Sequence, residues 1–196
     1  MSRMRSTTRL SVSTVGQAVL LTVAATTLWF FVIAFVASIV AEFMRERAVR
    51  AADLVTPNHF ELDHLTGQTT RTLAEVLAAV DDLRARGPPA VLVTSLATHE
   101  TPADAIDLLA CDDAGRFRLR TPKLPIEVHG AGDAIAALFF AHSLRGASVP
   151  EAAARATSAI FGVLSRTANA KAREMLLIEA QEELVRPSRI FQAEPL

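Results

Sequence analysis

The five residues His129-Gly130-Ala131-Gly132-Asp133 combine the properties that phosphate chemistry needs. Two glycines flank a small residue, so the backbone can turn tightly and approach a ligand closely. The apolar run that follows at once predicts a helix from Asp133 to Leu144. The first amides of such a helix lack internal partners and lie at the positive end of its dipole, which suits a phosphate. Asp133, one step beyond the glycines, is placed to accept the proton of a hydroxyl that attacks that phosphate. A tight turn followed by a capping aspartate satisfies the same five residues, and at this level both readings stay open.

Two further pairs could join this chemistry. Asn58 and Glu61 stand three apart at a predicted helix start. They form either a capping box or a polar pair at the carboxyl end of a strand, where open α/β sheets bind ligands. Thr94 and Ser95 end the strand Ala90-Val91-Leu92-Val93 and either touch a nucleotide or cap a loop. Other chemistries lack their residues. There is no GxxxxGK[ST], no GxGxxG after a strand and no GxSxG. His59, His64, His99, His129 and His142 form no HExxH pair, and Cys111 stands alone, which excludes an internal disulfide and a cysteine zinc site.

These residues must be positioned by alternating strands and helices. A strand over Ala52–Pro57 leads to a short helix from His59 that ends near Gly67. Leu73, Val76, Leu77, Val80 and Leu83 form the stripe of a helix over Thr70–Arg86, stopped by Gly87 and Pro88-Pro89. Ala105–Ala110 and Arg116–Arg120 read as a hairpin about Asp112-Asp113-Ala114-Gly115. Thr121–Val128 is extended and leads into the glycine turn. The helix after that turn is apolar on nearly every side, which predicts a central position. Ser148, Pro150 and Glu151 open the next helix with a capping box, and that helix runs to about Thr167. A last helix is expected over Lys171–Val185, with Met175, Leu176, Ile178 and Leu184 inward, and Ile190-Phe191 adds a docking segment or short strand. The alternation implies an α/β fold with a largely parallel sheet flanked by helices.

The 196 residues bound the chain to one domain with an appendage, 51% hydrophobic and 21% charged, so disorder is not expected. A short amphipathic helix over Ala41–Val49 precedes the first strand. The head, residues 1–40, differs from the rest. Ala18 to Val40 holds no charged residue over a length sufficient to span a bilayer as a helix. Arginines flank it on both sides, so its orientation is poorly set. Arg3, Arg5 and Arg9 stand in the head without an acid. The 20 basic residues less those three, against 21 acids, leave the remainder at −4. That balance argues against a nucleic-acid partner.

The stretch Ala52-Asp53-Leu54-Val55-Thr56-Pro57-Asn58-His59-Phe60-Glu61-Leu62, then Val91-Leu92-Val93-Thr94-Ser95, then Gly130-Ala131-Gly132-Asp133 before an apolar helix, resembles the C-terminal half of a pyridoxal kinase, within the ribokinase-like kinases. The resemblance covers residues 41–196. It implies transfer of phosphate from ATP to the 5′-hydroxyl of pyridoxal, with Mg²⁺, in a cytoplasmic kinase. Asp133 would be the base, and Gly130, Ala131 and Gly132 the anion hole. Thr94, Ser95 and Val128 would lie near the nucleotide, and Asn58 and Glu61 would hold metal and phosphate through water, with no direct metal ligand. Members of the family also carry an N-terminal half with most pyridoxal contacts, which this sequence replaces with the hydrophobic head. Two readings follow: a truncated or frame-shifted product whose head is accidental, which is favoured, or a membrane-tethered remnant. The alternatives to catalysis are a nucleotide-binding remnant and a membrane-anchored interaction protein. An uncovered sheet edge or apolar face would then be a liability for aggregation or a surface for homodimerisation.

Overall fold

The structure, a computed structural model, describes residue 33 and residues 35–196. Most of the apolar run expected over 18–40 lies outside them. Among the described residues no helix is long and apolar enough to cross a membrane. The chain divides into two units, residues 1–43 and 44–196. In the first, residues 35–43 are helical. The second begins with a π-helical stretch, Met44–Ala48, and one helical turn, Val49–Ala51.

The second unit contains β1 (Leu54–Val55), α1 (His59–Thr66), α2 (Leu73–Ala85), β2 (Ala90–Leu96), β3 (Ala105–Asp112) and β4 (Gly115–Pro122). These are followed by α3 (Ala131–Leu144), α4 (Val149–Asn169), the single turn α5 (Glu182–Val185) and β5 (Glu194–Pro195). The five strands form one sheet in the order of the sequence. Only β1 and β2 pair in parallel, and every other pairing is antiparallel. The expectation of a largely parallel sheet is therefore corrected. A parallel return needs a crossover of a dozen or more residues, usually helical. The helices α1 and α2 supply one between β1 and β2. Short connections join β2 to β3 and β3 to β4, so those strands must run back antiparallel.

Helices cover both faces of the sheet. Val91 and Val93 of β2 and Leu109 and Cys111 of β3 pack with Leu62, Val76, Val80 and Leu83 from α1 and α2. The alternate residues Leu92, Leu108, Ala110 and Leu119 face Ile135 and Phe139 of α3 and Ala152, Ala156 and Ile160 of α4. The two central strands are buried on both sides, which is why β2 reads as an unbroken apolar run. Cys111 sits in this core, and burial pushes its thiol up to about 12, which removes it as a nucleophile.

Local signals behave as the residue types dictate. Asn58 and Thr72 cap α1 and α2, each in a reciprocal box with Glu61 and Glu75. Gly67 closes α1 in the left-handed conformation. Asp112 Oδ1 accepts from the amides of Ala114 and Gly115 and sets the hairpin. Three expectations are corrected. Ser148 caps α4 without a side-chain bond, and the Glu151 carboxylate pairs with Arg155 at 2.5 Å rather than closing the box. The helix α3 is covered on one side only among the described residues: Ile135 and Phe139 are buried, whereas Phe140 and Leu144 are exposed. The helix expected over Lys171–Val185 is confined to α5, and Ile178 is exposed rather than inward.

The reason lies in what this last segment packs against. Thr167 of α4 accepts from the Leu176 amide at 3.2 Å, and Glu183 is buried against Gly162. These long-range anchors hold residues 171–181 in turns rather than in a helix. Glu183 accepts from the Ser188 amide at 2.7 Å and from Arg166 Nε at 2.9 Å. The Ser188 amide, helped by Arg166, holds this carboxyl below its ordinary value of 4.5 against the opposing effect of burial. A depressed carboxylate contributes stability above its unfolded value and loses it as pH falls through the folded value. Thermal melts below pH 4.5 should therefore fall less steeply for Glu183→Gln than for the wild type. A Cβ on Gly162 would lie 2.3 Å from Glu183 Oε2 and 3.0 Å from its Cβ. Gly162→Ala is expected to cost about 1–3 kcal/mol in chemical denaturation, as overpacking does.

Candidate active site

The site forms where β1, β2 and α3 end or begin. Thr94 donates its amide to Pro57 O at 2.9 Å, and Asn58 bridges Thr94 in parallel register. The capping box of α1 is thereby placed beside the end of β2. Asn58 Oδ1 accepts from the Glu61 amide at 2.9 Å, and Glu61 Oε2 accepts from the Asn58 amide at 2.8 Å. Of the two readings of this pair, the capping box is formed, and it leaves Asn58 Nδ2 and Glu61 Oε1 outside it. Both readings are compatible, because the box also fixes those atoms at the carboxyl end of β1.

The pairing of β2 with β3 shifts between Val93 and Leu96. Val93 faces Leu109 and Leu96 faces Asp107, so Thr94 and Ser95 carry one extra residue. Ser95 takes up the bulge with a left-handed φ of +54°. A bulge bends its strand and re-aims its side chains, and a non-glycine residue in this region is strained. Thr94 is buried and Ser95 exposed.

The glycine turn is built as its residues require. Gly130 is the N-cap of α3 at φ +85°, a conformation that a Cβ disfavours. Ala131, Gly132 and Asp133 are the first three helical residues. Ala131 and Gly132 form one wall of a slot of about 120 Å³. Thr94 and Ser95 stand at its end, Ile106, Leu108 and Thr121 on its sheet side, and Thr157, Ile160, Phe161 and Leu164 of α4 opposite. The other flank of the same turn, Gly130 and Asp133, borders a second hollow with His129, Arg173 and Met175. Ser95 also borders a third, with Asn58, His59, Asp63 and Thr70. In that hollow the Thr70 hydroxyl donates to Asp63 Oδ1 at 2.7 Å and meets His59 Nε2 at 2.8 Å. The carboxylate cannot donate, so Thr70 accepts from His59 and the ring proton lies on Nε2.

Thr94, Ser95, Ala131 and Gly132 thus meet in one slot, Gly130 and Asp133 lie just behind them, and Asn58 is joined to the group through Ser95. Glu61 belongs to the box, and Val128, half-buried, borders none of the three hollows. The contribution of α4 was not foreseen. Its residues look like any apolar helix face, and no local signal marks a slot wall.

The family profile described as phosphomethylpyrimidine kinase matches residues 34–176. The chain belongs to that family. Among curated relatives it is similar to the pyridoxal kinase PdxY of Granulibacter bethesdensis, 44% identical over 157 residues, covering 78% of this chain and 55% of the relative. The PdxY of Rubrobacter xylanophilus is 47% identical over 154 residues, covering 78% and 53%. Among solved structures, the pyridoxal kinase of Leishmania donovani in complex with ADP superposes with a TM-score of 0.72 at 26% identity, over 80% of this chain and 55% of that one. Its complex with ADP and pyridoxine gives 0.71, also at 26% identity, over 80% and 54%. The chain spans about half the length of the relatives it matches, and its fold is the mixed α/β, ribokinase-like one.

The two glycines of the turn should respond differently to alanine. At Gly130 a Cβ would meet only Met175 Cε at 3.9 Å, so its cost is conformational, about 1–2 kcal/mol in denaturant melts. At Gly132 a Cβ meets nothing within 4 Å and φ is ordinary, so Gly132→Ala should leave stability within about 1 kcal/mol. Its effect should fall instead on binding of an anion, measured by titration with ATP.

Proposed function

We propose that this chain transfers the terminal phosphoryl group of ATP to the 5′-hydroxyl of pyridoxal, giving pyridoxal 5′-phosphate in vitamin B6 salvage. One observation carries the reading. A single helical turn, Gly130 to Asp133, borders an apolar slot on one flank and an open hollow containing a carboxylate on the other. The similarity to pyridoxal kinases supports the choice of substrate.

In this reading the planar base of the nucleotide lies in the slot, and the extended segment Thr121–Val128 runs beside it. The phosphates pass Thr94 and Ser95 to the amides of Gly130, Ala131 and Gly132. Those amides stabilise charge on the transferring group at no cost of reorganisation. The acceptor hydroxyl occupies the hollow at Asp133. Its oxygen forms the new bond to phosphorus as the bond to the ADP oxygen breaks, and its proton passes to the Asp133 carboxylate. A loose transition state asks for this proton late, so a carboxylate suffices as the base.

The donor set fits Mg²⁺ carried chiefly by the nucleotide. That ion keeps several waters and takes one or two protein carboxylates in addition to substrate phosphates. Glu61 Oε1, free of the capping box, would accept from a water on the ion, Asn58 Nδ2 would donate toward a phosphate oxygen, and among the described residues no cluster of three metal-binding side chains competes. When bound, the ion neutralises charge on the phosphates.

The test is formation of pyridoxal 5′-phosphate from pyridoxal and MgATP by the full chain, with Asp133→Ala beside it. Product that falls at least about a hundredfold in the variant, with ATP affinity retained, is the expected result, in the range for loss of a general base. ATP binding without product would replace this reading with that of a nucleotide-binding protein that does not transfer phosphate.

A further inference from the structure

The helix α4 presents two neighbouring faces. Thr157, Ile160, Phe161 and Leu164 line the slot. Ser158, Phe161, Gly162 and Arg166 meet the C-terminal segment. Successive residues of a helix are about 100° apart, so these two sets lie side by side and share Phe161 at their border. One side of that ring faces the slot, and the other is gripped from behind. Phe191, buried at 8% exposure, meets Phe161 edge-on, with centroids 4.8 Å apart and planes at 72°. The Arg189 guanidinium stands over both rings, 5.5 Å from the Phe161 centroid and 4.9 Å from that of Phe191. The segment is itself fixed to α4: the Phe191 amide donates to Ser158 Oγ at 2.9 Å, and the Ser188 amide donates to Glu183.

We infer that Arg189 and Phe191 are positioning residues for the nucleotide base: they hold Phe161 as the slot wall and set affinity for the base without touching it. The inference rests on the slot being the base site. A ring clamped by an edge-on aromatic and a cation cannot swing into the slot or away from it, so the planar base meets a preformed surface. Neither residue borders the slot, so their loss should weaken recognition of the base and leave the phosphate end of the site intact.

The experiment is equilibrium titration of the full chain with a fluorescent ATP analogue, displaced by ATP and, separately, by inorganic tripolyphosphate, which has no base. Arg189→Ala is the principal variant because an exposed arginine can be removed with the fold intact, which a thermal melt verifies. Phe191→Leu and Arg189→Lys accompany it. Arg189→Ala should weaken ATP about three- to tenfold and leave tripolyphosphate unchanged, with Arg189→Lys recovering part of the loss. Unchanged ATP affinity in Arg189→Ala overturns the inference, as does a parallel loss of ATP and tripolyphosphate, which would mark a general structural effect. Equal affinity of the wild type for ATP and tripolyphosphate is a separate result. It would show that the base contributes nothing, and would remove the slot reading and the inference with it.

Discussion

The left-handed backbone at Gly130 is the constraint on which the site depends. It turns an extended segment into α3 within one residue, so the first amides of that helix emerge where β2 ends. A side chain at this position would oppose the turn, and a longer connection would carry the amides away from Thr94 and Ser95. The same turn separates the slot from the hollow at Asp133, with one wall serving both. The slot and the hollow thus open on opposite sides of a single helical turn.

That geometry holds only because the elements behind it are rigid. The strands β2 and β3 are buried on both faces, and their ladder breaks at a single place, the bulge at Thr94 and Ser95. The strain at Ser95 is tolerated because tight packing at Val93 and Leu96 leaves the chain little alternative. On the far side, α4 is tied to the C-terminal segment through Ser158, Gly162 and Arg166. A carboxylate buried beside a glycine, with an amide and a guanidinium as donors, fixes that segment where propensity alone would have continued a helix.

Legibility followed the range of the interactions. The cap at Asn58, the stop at Gly67, the hairpin at Asp112–Gly115 and the glycine turn are set by contacts within about four residues, so residue types alone reveal them. Ser148 and Glu151 are the local exception: the motif is present, but Arg155 one turn on competes for the carboxylate. The expectation of a largely parallel sheet failed because alternation of strands and helices implies crossovers, whereas β2 and β3 follow one another with no helix between; the β3–β4 hairpin pairs as its residues predict. The bulge at Ser95 left no trace in the sequence, since it arises from registering β2 against a strand that begins ten residues beyond that serine.

The sequence by itself determined the turn chemistry and the apolar stripe of α2, because each depends on the covalent neighbourhood and on helix periodicity. Only the tertiary structure decided that Gly132 and Thr94 share a slot, that Phe161 closes it, and that Phe191 and Arg189 stand behind Phe161. Those are contacts between residues about thirty or more positions apart. Their geometry is fixed by how the whole second unit packs, and an apolar residue at helical spacing looks the same in the sequence whether it faces the core, a ligand slot or the back of another ring.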